Sequence, residues 1–152
     1  MENDQSILAA LRNLKVVEYT SPDPITVVAQ DTAQSVSNLM HQHGFRHVLV
    51  MDENRVTGVI SDRDIMKALD AGKSIASISA ADIMTAHPYS VTTDTSLSEV
   101  CFHLSSEKFN SAVVNNPDGS LRGIFTSTDA LNALVEVLRG ELPENTSLDT
   151  TH

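Results

Sequence analysis

The sequence predicts an α/β fold of the α+β type, in which two β-α-β-β-α repeats pack with pseudo-two-fold symmetry. Three observations lead there. The stretch "GVISDRDI", residues 58 to 65, runs from Gly58 through Val59 and Ile60 into Ser61, Asp62, Arg63 and Asp64. About 65 residues later "GIFTSTDA" follows the same grammar, from Gly123 through Ile124 and Phe125 to Thr126, Ser127, Thr128 and Asp129, as an internal repeat does. Finally, each copy is about 45 residues of alternating strand and helix signals, too few to hide a sheet alone, so the copies should pack together.

The elements follow in order. Ile7, Leu8, Leu11 and Leu14 recur at helical spacing and predict a leading helix within residues 1–19. Pro22 and Pro24 in "TSPDPI" break it, and "ITVV" reads as a short strand opening the first repeat, residues 20–72. "DTAQSVSNLMHQHG" has a capping start, apolar Ala33, Val36, Leu39 and Met40, and Gly44 as its stop. The β-branched runs "HVLVMD" and "VTGVIS" predict a strand pair around "ENR". A helix then opens at Ser61 and closes near Gly72. Residues 73–87, "KSIASISAADIMTAH", read as a linker. Residues 88–139 replay the order, from "YSVT" through "DTSLSEVCFHLSSEK", "SAVVNN", "PDGS" and "LRGIFT" to "STDALNALVEVLR". This register sets Pro24 on Pro88, Val36 on Val100, Phe45 on Phe109, Val50 on Val114, Gly58 on Gly123, Asp64 on Asp129 and Leu69 on Leu134. Residues 140–152 have the composition of a disordered tail.

Composition narrows the function. With 41% hydrophobic and 20% charged residues in 152, the chain is of ordinary globular make-up. A formal net charge of -10 argues against nucleic acid and against an acidic membrane surface, both of which call for clustered Lys and Arg. Aromatic residues are 4% and Trp is absent, so no base-stacking platform is evident. The start "MENDQSILAALRNLK" lacks a basic signal-peptide region and no apolar run reaches membrane-span length, which predicts a cytoplasmic protein. The single Cys101 lies in an apolar-periodic stretch and reads as a packing thiol. "HQHGFRH" gathers His41, His43 and His47, but the first two do not share a helix face and the third starts a strand, so no metal site is expected. No nucleophile-base pair or P-loop stands in supporting context, and the chain is not expected to be an enzyme.

The repeated Gly, two apolar residues, Ser or Thr, two variable positions and Asp, within matching elements, resembles the CBS domain, named for cystathionine β-synthase, in tandem. "DIMT" at 82–85 is similar to the segment that introduces a CBS repeat. The likeness covers about residues 15 to 139. It implies a stand-alone regulatory module that binds adenosine-containing ligands in clefts between the repeats, signals to a regulated protein and associates as a homodimer. The copies also differ. "YTSPDP" replaces the "DIM" lead-in of the first, Arg63 becomes Thr128, and Arg46-His47 becomes Asn110-Ser111.

Physically, Ser-x-x-Asp at a strand-to-helix junction is a capping box, which accounts for Ser61 with Asp64 and for Thr126 with Asp129 without any ligand. The same geometry serves a nucleotide. Helix amides face a phosphate, and the carboxylate accepts a pair of ribose hydroxyls. Arg63, Arg46 and His47 would make the first copy a phosphate site for AMP, ADP or ATP, magnesium accompanying ATP, with no obligatory cofactor. The second copy, with Thr126, Thr128 and Asp129, should bind more weakly or take an uncharged adenosyl group. The resemblance places the adenine against the first strand of each copy, around Thr26 and Val27 and around Ser90 and Val91. Two other functions compete: a structural or interaction module with empty clefts, and a sensor of an S-adenosylmethionine-type ligand.

Overall fold

The computed structural model describes residues 2–141, so the expected tail falls almost wholly outside the described residues. In chain order the elements are α1 (Glu2–Arg12), a 3-10 turn (Val16–Tyr19), β1 (Ser21–Pro22), β2 (Thr26–Val28), α2 (Ala33–His43), β3 (His47–Asp52), β4 (Arg55–Ser61) and α3 (Asp62–Asp70). There follow α4 (Ala80–Ile83), β5 (Thr85–Ala86), β6 (Ser90–Thr92), α5 (Leu97–Glu107), β7 (Ser111–Asn115), β8 (Leu121–Thr126) and α6 (Ser127–Leu138). The class is α+β, as the repeats predict. No helix among the described residues is long and apolar enough to cross a membrane.

The chain forms two compact units, Asp23–Pro88 and the remainder. In Asp23–Pro88 the sheet order is β2-β3-β4-β5, with β2 parallel to β3 and the other neighbours antiparallel. Val48 and Val50 of β3 and Ile60 of β4 bury against Val36 and Met40 of α2 and Ile65 of α3. That alternation puts one face of each strand on the helices. The segment read as a linker is stitched into this unit. Ala33 N–H donates to the Ile78 carbonyl at 2.9 Å, Ala80 N–H to the Asp31 carbonyl at 2.7 Å, and Ala80 is fully buried.

The second unit has sheet order β1-β8-β7-β6 and a core of Leu14, Val16, Val100, Leu104, Ala112, Val114, Phe125 and Ala133. Its fourth strand is β1, from the opening of the first repeat, just as β5, from the lead-in to the second repeat, completes the other sheet. The lead-ins are therefore exchanged. Sequence periodicity did not foretell this, because a two-residue strand carries no period.

Both copies place a β-bulge just before the motif glycine. Val50 pairs with Gly58 but Met51 with Val56, and Val114 pairs with Gly123 but Asn115 with Leu121. The extra residue sharpens the local twist and aims the end of the strand. The helices preceding β3 and β7 end differently. Gly44 closes α2 in the left-handed region at φ 70°, while the equivalent Lys108 takes φ 58° there against the preference of an L side chain.

Candidate functional site

The two strand-to-helix junctions are built alike. At the first, Asp64 Oδ2 accepts from Ser61 N–H at 2.8 Å and from Ser61 Oγ at 3.1 Å. At the second, Asp129 Oδ2 accepts from Thr126 N–H at 2.9 Å and from Thr126 Oγ1 at 3.1 Å. The helix-cap reading is thus correct as local geometry. The box also occurs outside the motif. Ser79 N–H donates to Asp82 Oδ2 at 2.9 Å, and bonds from the Ser79 amide and hydroxyl hold the Asp82 carboxyl below its ordinary range.

Around Asp64 the structure gathers most of the residues expected there. His47 pairs with Ser61 across β3 and β4, and the Arg46 carbonyl accepts from Asp62 N–H at 3.0 Å, so the start of β3 is tied to the start of α3. Because that first-turn amide is already taken, a phosphate at this helix end depends on side-chain cations more than on amides. Arg46 and Arg63 are exposed, and neither forms an ion pair among the described residues. Arg63 is therefore not engaged by Asp62 or Asp52. Thr26 lies at the same sheet end, exposed and paired with Leu49 on β3. Its neighbour Val27 is 5% exposed within the hydrophobic core, leaving only backbone groups to offer a ligand.

Around Asp129 the positions of Arg46 and Arg63 are taken by Asn110 and Thr128. Thr128 is exposed, Ser111 pairs with Thr126, and Ser127 N–H donates to the Asn110 carbonyl at 3.1 Å, the counterpart of the Asp62–Arg46 bond. Ser90 and Val91 pair with Val113 and Val114, and Val91 packs on the core. One contact has no counterpart in the first unit. Ser21 Oγ, on β1, donates to Asp129 Oδ1 at 3.1 Å. No sequence pattern signals it, since the partners are 108 residues apart and Ser21 lies outside both motifs.

The other candidates resolve into packing. His41 Nδ1 is 2.8 Å from the Ser37 carbonyl, and the His43 ring stacks on Phe45 at 6.3 Å between centroids. Among the described residues no group of three His, Cys, Asp or Glu could hold a metal ion. Cys101 is half-buried against the core, and burial pushes its thiol pKa up, away from a nucleophile's. A groove of about 510 Å³ between α2 and α3 is lined by Met40, Phe45, Arg46, Asp62, Met66 and Leu69 among others, but not by Ser61, Arg63 or Asp64. It shares Arg46 and Asp62 with the first junction.

Comparison with known proteins fits this architecture. An uncharacterised protein of Methanopyrus kandleri is 28% identical over 123 residues, 80% of this chain, and the chain spans 63% of that relative's length. Two solved structures superpose well. The CBS domain pair of protein MJ0100, in complex with 5′-methylthioadenosine and S-adenosyl-L-methionine, gives a TM-score of 0.70 at 24% identity over 79% of this chain and 98% of that one. CBSX2, a CBS-pair protein of Arabidopsis thaliana, in complex with AMP, gives 0.70 at 24% identity over 83% and 99%. The CBS domain family itself matches twice, over residues 16–71 and 80–136, and these two matches cover both junctions and most of the chain: the protein belongs to the CBS domain family.

Proposed function

We propose that this chain is a regulatory module that binds an adenine nucleotide, AMP, ADP or ATP, at the Asp64 junction and signals by changing its partner surface. The observation that carries the reading is the asymmetry of the junctions. Among the described residues the hydrogen bonds to Asp64 fall on Oδ2 and none on Oδ1, and Asp64 lies in the same turn as Arg63, which forms no ion pair among the described residues, with Arg46 tied to the start of that helix. A carboxylate oxygen for ribose beside guanidinium groups for phosphate is the arrangement a nucleotide needs. The adenosyl ligands named for the two solved relatives support the chemical class. A thermal-shift series with AMP, ADP, ATP plus magnesium, and S-adenosylmethionine tests it. Nucleotide at about a hundred times its Kd should stabilise the protein by about 2.7 kcal/mol. No shift with any of them at millimolar concentration overturns the sensor reading.

One observation favours a second reading. Ser79 and Asp82 form the same box at a four-residue helix that is no part of the motif, so the geometry can serve purely as a cap. On that reading the protein is an interaction module, and ligand leaves its melting temperature unchanged.

The module should act as a homodimer. Leu131, Leu134, Val135 and Leu138 of α6 are 62%, 52%, 44% and 75% exposed, an i, i+3, i+4, i+7 stripe that the other described residues leave uncovered. Met66 and Leu69 present a like face on α3, at 60% and 51%. A second copy would cover such faces with matching ones. Light scattering at micromolar concentration should give twice the mass of one chain, and Leu134→Glu with Leu138→Glu should shift it towards one. A single-chain mass for the unaltered protein counts against the dimer.

A further inference from the structure

We propose that Ser21 is a specificity-determining residue that weakens the Asp129 junction as an adenosyl site, making the two copies bind in order rather than alike. The proposal rests on the reading of the motif carboxylates as ribose acceptors. A carboxylate offers about four acceptor positions. At Asp64 the Ser61 amide and hydroxyl take two, both on Oδ2, and a pair of vicinal ribose hydroxyls can take the rest. At Asp129 the Thr126 amide and hydroxyl likewise take two, and Ser21 Oγ takes a third on Oδ1. A ribose offering two hydroxyls therefore has to displace Ser21 first.

The molecule contains its own control. Ser21 stands opposite Ile124, one residue past the motif glycine on β8, and Thr85 stands opposite Val59, one residue past the motif glycine on β4. Thr85 carries a hydroxyl too, yet no hydrogen bond joins it to Asp64 among those of the described residues. The difference is thus a property of the β1 lead-in, and it acts on the junction that already lacks the counterparts of Arg46 and Arg63.

Calorimetry with adenosine on the full-length chain, in an Asp64→Ala background that leaves the Asp129 junction alone, reads the effect. Adding Ser21→Ala should tighten adenosine about three- to tenfold, the size of one partly solvated hydrogen bond to a charge, while Ser21→Thr, which keeps the hydroxyl, should stay near the parent. Unchanged affinity in Ser21→Ala overturns the proposal, because the hydroxyl then yields freely. Weaker binding overturns it as well, because Ser21 is then a ligand contact. Failure to recover any binding in Ser21→Ala, where the parent shows none, overturns it too. The underlying reading fails separately: adenosine binding that persists undiminished in Asp64→Ala with Asp129→Ala means that neither carboxylate holds ribose, whatever Ser21 does. Melting temperatures of the variants identify any loss of fold.

Discussion

Asp64→Ala should weaken AMP, ADP, ATP and adenosine alike, by about 1.5 to 3 kcal/mol or roughly ten- to 150-fold, because it removes a charged acceptor common to every ligand with a ribose. Arg63→Ala should weaken the three nucleotides and leave adenosine nearly unchanged, since only a phosphate needs the guanidinium. The two variants together separate ribose from phosphate recognition, and calorimetry reads both. Stability gives the counterweight. Asp64 also accepts from the Ser61 amide at 2.8 Å at the positive end of α3, so its loss should lower stability by about 0.3 to 1 kcal/mol in any case. A lowered melting temperature with unchanged nucleotide affinity would mean that "SDRD" is a helix cap and that adenosine binds elsewhere.

What could be read in advance follows from range along the chain. The α+β class, the repeat register and the capping boxes are local or periodic, and Ser61 with Asp64 and Thr126 with Asp129 lie three residues apart in the sequence as in the fold. The copies share the bulge ahead of Gly58 and Gly123, and the second differs by one extra residue in its hairpin turn, between Asn115 and Leu121 against Met51 and Val56. The exchange of lead-ins was not legible. Ser21–Pro22 and Thr85–Ala86 are two-residue strands whose partners are set by where the chain runs, not by any alternation of their own. For the same reason Ser21 could not be recognised as Asp129's partner, nor the two motif glycines as seats for neighbouring groups. Val27 marks the other limit. Its place in a short strand was predicted, but a strand pattern does not say which side chain belongs to the core and which to a site.

Gly123→Ala should destabilise the protein by about 1 to 3 kcal/mol, the range for forcing extra volume into a packed site. A Cβ at Gly123 would run into the carbonyl oxygen of Ser21 and lie 2.8 Å from Thr20 Cγ2. The first obstacle is backbone and cannot rotate away, so relief has to come from pushing β1 off β8. That ladder is only Ser21 on Ile124 and Pro22 on Gly123, and so it should give way. Gly58→Ala is the comparison, because the equivalent Cβ meets the side chain of Met84, including its Cγ at 2.9 Å. A thioether chain with three rotatable bonds can move aside at smaller cost. Chemical denaturation should therefore rank Gly123→Ala well below Gly58→Ala. The same displacement draws Ser21 Oγ away from Asp129, so Gly123→Ala should loosen the fold and yet tighten adenosine at that junction, a pairing that general destabilisation does not produce. Equal stability of the two variants would mean that β1 shifts without penalty and that its contact with β8 does little to hold the sheet edge.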